Sequence, residues 1–219
     1  MNDHTLLAWE TDQPGRLRDL LAAVGFRARP GGSLAIPGLV LAVASPIGAD
    51  RLRPALPRDV GREAPPDGPA GEPGGPRLRA VAVATVDLER AGASYAGLLG
   101  ELPGDEILGA RIATTGVAGV VLAEPTTEGR LAATLARHGE GPAAFCVAVP
   151  WAAIGAIRRR LVELGERPRD GAGPFGPQVL ARARPPWGPH LLVVPEAPGV
   201  ATAPVDDPPS PRTSGTINP

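Results

Sequence analysis

The chain of 219 residues contains no lysine; all 22 of its basic side chains are arginine. Beside abundant Ala, Gly, Pro and Arg, that absence reads as a compositional bias of the genome and not as a functional device. The arginines are balanced by 23 acidic residues, for a formal net charge of −1, so nothing argues for a nucleic-acid partner. A single cysteine, Cys146, excludes an intramolecular disulfide and any multi-cysteine metal site. No apolar stretch approaches the roughly 18 residues of a membrane span, and MNDHTLLAWETD lacks the apolar run and small-residue cleavage site of a signal peptide. The expectation is a soluble cytoplasmic protein with no membrane partner. Nucleophile elbows, phosphate loops and HExxH patterns are missing as well. GAGPFGP at 171–177 is glycine-rich, but it has no lysine and does not join a strand to a helix, which argues against nucleotide binding.

Glycine (29) and proline (28) are plentiful and unevenly spread, while 43% of the residues are hydrophobic, enough for a core. Residues 51–76, RLRPALPRDVGREAPPDGPAGEPGGP, read as a proline-broken linker that makes neither a helix nor a central strand. Residues 196–219 read as a disordered tail. Three ordered pieces remain, at 4–46, 77–125 and 143–195.

These pieces share one plan. In the first, TLLAW is strand-like, and Leu17, Leu20, Leu21 and Val24 then fall on one helical face. Gly25 suits a helix C-cap, and GLVLAVA at 38–44 is a short buried strand. In the second, RAVAVATV precedes DLERAGASYAGLLG, where Asp87 caps a helix with Leu88, Ala91, Tyr95 and Leu98 on its buried side. ARIATT and AGVVLAEP follow as strands. In the third, AAFCVAV leads to the helix WAAIGAIRRRLVELG, whose apolar stripe is Ile154, Ile157, Leu161 and Leu164. QVLARARPP and HLLVVP close the piece. A strand, a helix ending in glycine and further strands, repeated, indicates duplication and an α+β fold.

RAVAVATVDLERAGASYAGLLG, AGVVLAEP, LARHGEGPAAFCVAV and PPWGPHLLVV, in that order, resemble the vicinal oxygen chelate superfamily. It includes glyoxalase I, methylmalonyl-CoA epimerase, extradiol dioxygenases and bleomycin-resistance binding proteins. The resemblance covers residues 77–195 and implies paired βαβββ modules whose mixed sheet curls into a cup. Residues 1–50 resemble an additional partial module of the same kind. In catalytic relatives His and Glu side chains converge on a divalent ion in the cup. Here the corresponding positions are Ala80, Val121 and Ala144, with the last within Leu191 to Val193, and none of these can bind a metal. No metal or other cofactor is therefore expected. His4 lies near a first-strand ligand position, and is read as a terminal surface residue.

The residues left for chemistry are few. Glu124 lies three residues from Val121, so strand alternation puts the two on opposite faces. His190 opens the final strand and could serve as a base from within the cup. Glu140 in GEGP reads as a turn element, and His138 in ARHGEGP as a residue of a solvent-exposed loop. Cys146 and Ala144 share a strand face, with Phe145 pointing the other way. Trp187, in a proline-rich turn, suits stacking on an organic ligand. Arg111, Arg182 and Arg184 lie in strand-like segments, where an inward side chain would pair with an anion such as a carboxylate.

Two functions stay open. One is metal-independent binding of a small organic molecule in an apolar cup, lined by Ala80, Val121, Ala144, Cys146 and Arg111 with Trp187 nearby. The other is an isomerase, epimerase or lyase acting on a small carboxylate or thioester through Glu124, Glu140 and His190. A structural protein whose cup is filled by its own Trp and Leu side chains is a third possibility. The odd third module would be satisfied by a homodimer.

Overall fold

The computed structural model describes residues 5–29, 32–44, 50–55 and 75–196. His4, the expected tail beyond Glu196 and most of the expected linker lie outside them. The first module runs β1 (Thr5–Glu10), α1 (Pro14–Val24), β2 (Arg27–Ala28), β3 (Leu34–Ile36) and β4 (Leu39–Ala44). A further strand, β5 (Arg51–Pro54), pairs antiparallel with β1 at the edge of this sheet, in the order β2-β3-β4-β1-β5. Residues 51–54, expected as the start of a linker that makes no central strand, form this strand instead, since an edge strand tolerates the proline that a central strand excludes. The module is short, yet all four of its βαβββ strands are present.

The second module is β6 (Arg77–Ala84), α2 (Leu88–Gly92), β7 (Leu98–Asp105), β8 (Ala110–Thr115) and β9 (Val120–Pro125). Helix α3 (Arg130–His138) leads into the third module: β10 (Gly141–Pro150), α4 (Ile154–Glu163), β11 (Arg169–Gly173), β12 (Gly176–Leu180) and β13 (His190–Glu196). The last two modules share one eight-stranded sheet, ordered β11-β12-β13-β10-β6-β9-β8-β7. In every module the first strand lies parallel to the last. β6 and β10 join the second and third modules antiparallel at the centre.

Local chemistry explains the elements. Pro14 sits in the first turn of α1, where no backbone donor is needed. At its end Gly25 turns left-handed at φ 111° and donates to the Leu21 and Ala22 carbonyls at 3.1 and 3.0 Å. The Asp87 side chain accepts from the Arg90 N–H at 3.0 Å and starts α2. That helix is shorter than its apolar spacing predicts. It gives way to a single 3-10 turn at Ala93–Tyr95, and Leu98 joins β7 instead. Leu98 still packs on α2, so closely that a Cβ on Gly92 would stand 2.7 Å from it.

Strand alternation gives the large sheet two faces. Val81, Phe145, Val147, Leu191 and Val193 face a core shared with α4 and the first module. Phe145 anchors that junction with edge-on contacts to Trp9 and Phe26 at 5.9 and 6.0 Å. Such pairs are worth about 0.5–1.5 kcal/mol each beyond their burial. The first module thus packs, α1 against α4, on the helix-bearing side of the third. The opposite face carries Ala80, Ala82, Ile112, Val121, Ala144, Cys146 and Leu192. This is the inside of the curl.

Candidate functional site: a closed cup and an arginine-lined cleft

The inside of the curl is occupied by the chain itself. Leu131 of α3 and Leu108 of the β7–β8 turn are fully buried within it, with Leu102, Ile107, Leu135 and Phe175 packed around them. Its edges also meet: the Glu106 N–H donates to the Ala172 carbonyl at 3.0 Å, and the Ala172 N–H donates to the Glu106 carboxylate at 2.9 Å. Just inside, Asp105 accepts from the Gln178 amide at 2.8 Å and the Leu108 N–H at 2.9 Å. Burial holds the Asp105 carboxyl above its usual range. Ala80, Val121, Ala144 and Cys146 are at most 5% exposed. Burial likewise pushes the Cys146 thiol up, so it is not a thiolate nucleophile.

The chelating positions inferred from the sequence do share this inner face. Ala80 pairs with Cys146, Val121 with Ala82, and Ala144 with both Ala82 and His190. Of the final three, Leu192 faces inward, whereas Leu191 and Val193 face the other core. Methyl and isopropyl groups offer no lone pair to a divalent ion. Among the described residues, no group of three or more His, Cys, Asp or Glu is arranged to hold one. The residues present do not fit a metal centre.

The polar candidates are dispersed. Glu124 points away from the curl, as strand alternation requires, accepting from the Leu88 N–H at 3.1 Å and pairing with Arg111 at 2.9 Å. Arg111 is therefore outside the cup. Glu140 braces the neighbouring turn: it accepts from the Val86 N–H at 2.9 Å, the Thr85 hydroxyl at 2.8 Å and Arg90 at 2.5 Å. Those three donors, the Val86 N–H foremost, pull its carboxyl down to about 2. His190 does enter the inner face but is wholly buried, with Nε2 3.1 Å from the Thr134 hydroxyl. Burial, aided by the Arg130 charge, lowers its pKa to about 3. His138 ends α3 and is half-buried, in contrast to the exposed loop residue expected.

The open concave feature lies elsewhere, between the first module and the third. It is a cleft of about 730 Å³. The start of α1 supplies Gln13 and Arg16 to one wall, and the residues after α4 supply Glu166 and Arg167. The α4 terminus fixes that second group, because the Glu166 N–H returns to the Leu161 carbonyl at 2.9 Å. The third wall is the β12–β13 loop, which contributes Arg182, Arg184 and Trp187. Pro185, Pro186 and Pro189 deny this loop the donors that a strand needs, so it lifts away from the sheet. Arg130 and Thr134 of α3 then hold it by the Ala183 and Trp187 carbonyls, at 2.8 and 3.0 Å.

Four arginines line the cleft against the Glu166 carboxylate and the Asp50 carboxylate behind Arg182, so it is electropositive in a chain of almost no net charge. Arg16 pairs with Glu166 at 3.0 Å. Arg182 pairs with Asp50 at 2.9 Å and lies over the Trp9 ring. The Arg137 guanidinium sits 5.7 Å from the centre of the Trp187 ring. Of the site residues expected from sequence, Trp187, Arg182 and Arg184 meet here. Arg16, Glu166 and Arg167 were not foreseen, because only tertiary packing brings Arg16 and Glu166, 150 positions apart, to one cleft.

Two βαβββ modules, joined through their first strands into one curled sheet, decide the fold. The chain has the vicinal oxygen chelate fold. No protein-family model and no curated protein matches it. Among solved structures, methylmalonyl-CoA epimerase from Mycobacterium tuberculosis is similar over 57% of this chain and 91% of its own, at 26% identity and TM-score 0.44. A variant Streptomyces coelicolor methylmalonyl-CoA epimerase, in complex with 2-nitronate-propionyl-CoA, matches 58% of this chain and 98% of its own, at 20% identity and TM-score 0.44. A mutant 4-hydroxymandelate synthase from Streptomyces coelicolor spans 85% of this chain and 67% of its own, at 16% identity and TM-score 0.36. These likenesses concern the fold; the assignment rests on strand order. Among the described residues, no helix is long and apolar enough to cross a membrane.

Proposed function

We propose that this protein binds a small organic anion, without a metal, in the cleft between its first module and the β12–β13 loop. The observation that carries this reading is the pairing of a concave site with four arginines and one tryptophan, while the cup face is filled by Leu108 and Leu131. Guanidinium groups recognise carboxylates and phosphates through two parallel hydrogen bonds, and Trp187 supplies the apolar wall that fixes an organic body. The small-molecule reading made from sequence is thereby kept, and its place moves from the cup to the cleft.

An isomerase, epimerase or lyase would need Glu124, Glu140 and His190 to act on one substrate. Both carboxylates are engaged at the start of α2, and His190 is sealed beneath α3. Binding is the function this geometry supports best. A thermal-shift panel of carboxylates, sulfonates, phosphate esters and neutral amides tests it. Several anions at millimolar concentration should raise the melting temperature, the neutral amides should not, and added salt should weaken the effect. Arg167→Gln combined with Arg184→Gln should abolish the shift. An anion response unchanged in that double variant would place the site elsewhere.

A further inference from the structure

We infer that the anion taken by this cleft is an aromatic acid, its ring lying on Trp187 and its acid group held by Arg167 and Arg184. This rests on the cleft reading above and narrows it to a ligand class.

The arginines are not equivalent. Arg16 is committed to Glu166, and Arg182 to Asp50. Both carboxylates are nearly buried, with side-chain exposures of 8% each. A ligand that drew either arginine away would strand a buried carboxylate, which costs more than the new contact returns. Arg167 and Arg184 are exposed, and no ion pair engages them among the described residues. They are the pair an incoming acid group can use at no such cost.

Trp187 sets the other half of the preference. Its backbone carbonyl is tied to Thr134 and its ring is steadied by Arg137, so the indole presents a placed surface three residues from Arg184 and two from Pro185. Its side wall is half-buried, which leaves ring area for a partner. A flexible aliphatic chain would cover the same area but lose rotamer freedom on ordering and gain no ring–ring electrostatics. A flat ring carrying one acid group satisfies both features without disturbing either internal ion pair.

The test is calorimetric titration of the full chain with 2-naphthoate, octanoate and 2-naphthamide, on the wild type and on Trp187→Leu and Arg184→Gln. Arg184 is exposed, so its variant should fold even if the tryptophan variant is impaired. Naphthoate should bind about tenfold tighter than octanoate and also than naphthamide. Trp187→Leu should erase the margin over octanoate, and Arg184→Gln should weaken both acids about tenfold while leaving the amide unchanged. Equal affinity of the wild type for naphthoate and octanoate would overturn the aromatic inference and leave the anion cleft standing. Failure of both acids to bind would overturn the two together.

Discussion

Mild acid should destabilise this protein through His190. The imidazole is fully buried and its pKa falls from an ordinary 6.5 to about 3, chiefly through burial. A base whose folded pKa is depressed stabilises the native state above the unfolded pKa. That contribution is lost as pH drops, because the unfolded chain takes up a proton that the folded chain refuses. The window is about pH 6.5 to 3, with a slope approaching 1.4 kcal/mol per pH unit. Between pH 7 and pH 5 the loss from His190 alone is about 2 kcal/mol. Urea denaturation at half-unit pH steps reads this directly, and the comparison is with His190→Gln, which keeps a polar group near Thr134 but does not titrate. Burial also lowers the pKa of His138, so its contribution has the same sign and persists in the variant. The diagnostic quantity is therefore the difference in slope. Parallel stability curves for the two proteins from pH 7 to 5 would refute the argument, since His190 would then protonate as freely folded as unfolded.

Three further outcomes are expected. Leu131→Ala, which removes a side chain from the filled curl, should cost about 2–5 kcal/mol in urea denaturation, and a cost below about 1 kcal/mol would mean the curl is not packed as described. Glu140, held near 2 against an ordinary 4.5, stabilises the fold above pH 4.5 and loses that effect as pH falls towards 2; Glu140→Gln should flatten the acid limb of the melting profile in that window. Addition of zinc, cobalt or magnesium, or of a chelator, should leave the melting temperature unchanged, because Ala80, Val121, Ala144 and Leu192 give an ion nothing to bind. A stoichiometric upward shift with any of these ions would sink the metal-independent reading.

Much of the fold could be read from local pattern. The stripe of Leu17, Leu20, Leu21 and Val24 marks α1, and the alternation of Ala144, Phe145 and Cys146 separates two faces that the structure keeps apart. The same rule sends Glu124 to the face opposite Val121. Helix α3 escaped because Thr134 interrupts the short apolar stripe of Leu131 and Leu135: it is buried, with its hydroxyl spent on the Arg130 and Trp187 carbonyls. Once that helix is overlooked, the curl reads as an empty cup.

The sequence by itself determined the repeated strand–helix–strand plan and the lack of chelating side chains at Ala80, Val121 and Ala144, since residue type and period 2 suffice for both. Trp187 and Arg184 could be singled out locally as well. Only the tertiary structure decided that Leu108 and Leu131 fill the curl, that the first module docks α1 on α4, and that Arg16 and Arg167 join the β12–β13 loop around one cleft. The physical reason is range. Periodicity and capping act within a few residues, whereas a filled cavity and a charged cleft arise from packing between segments that share no local signal.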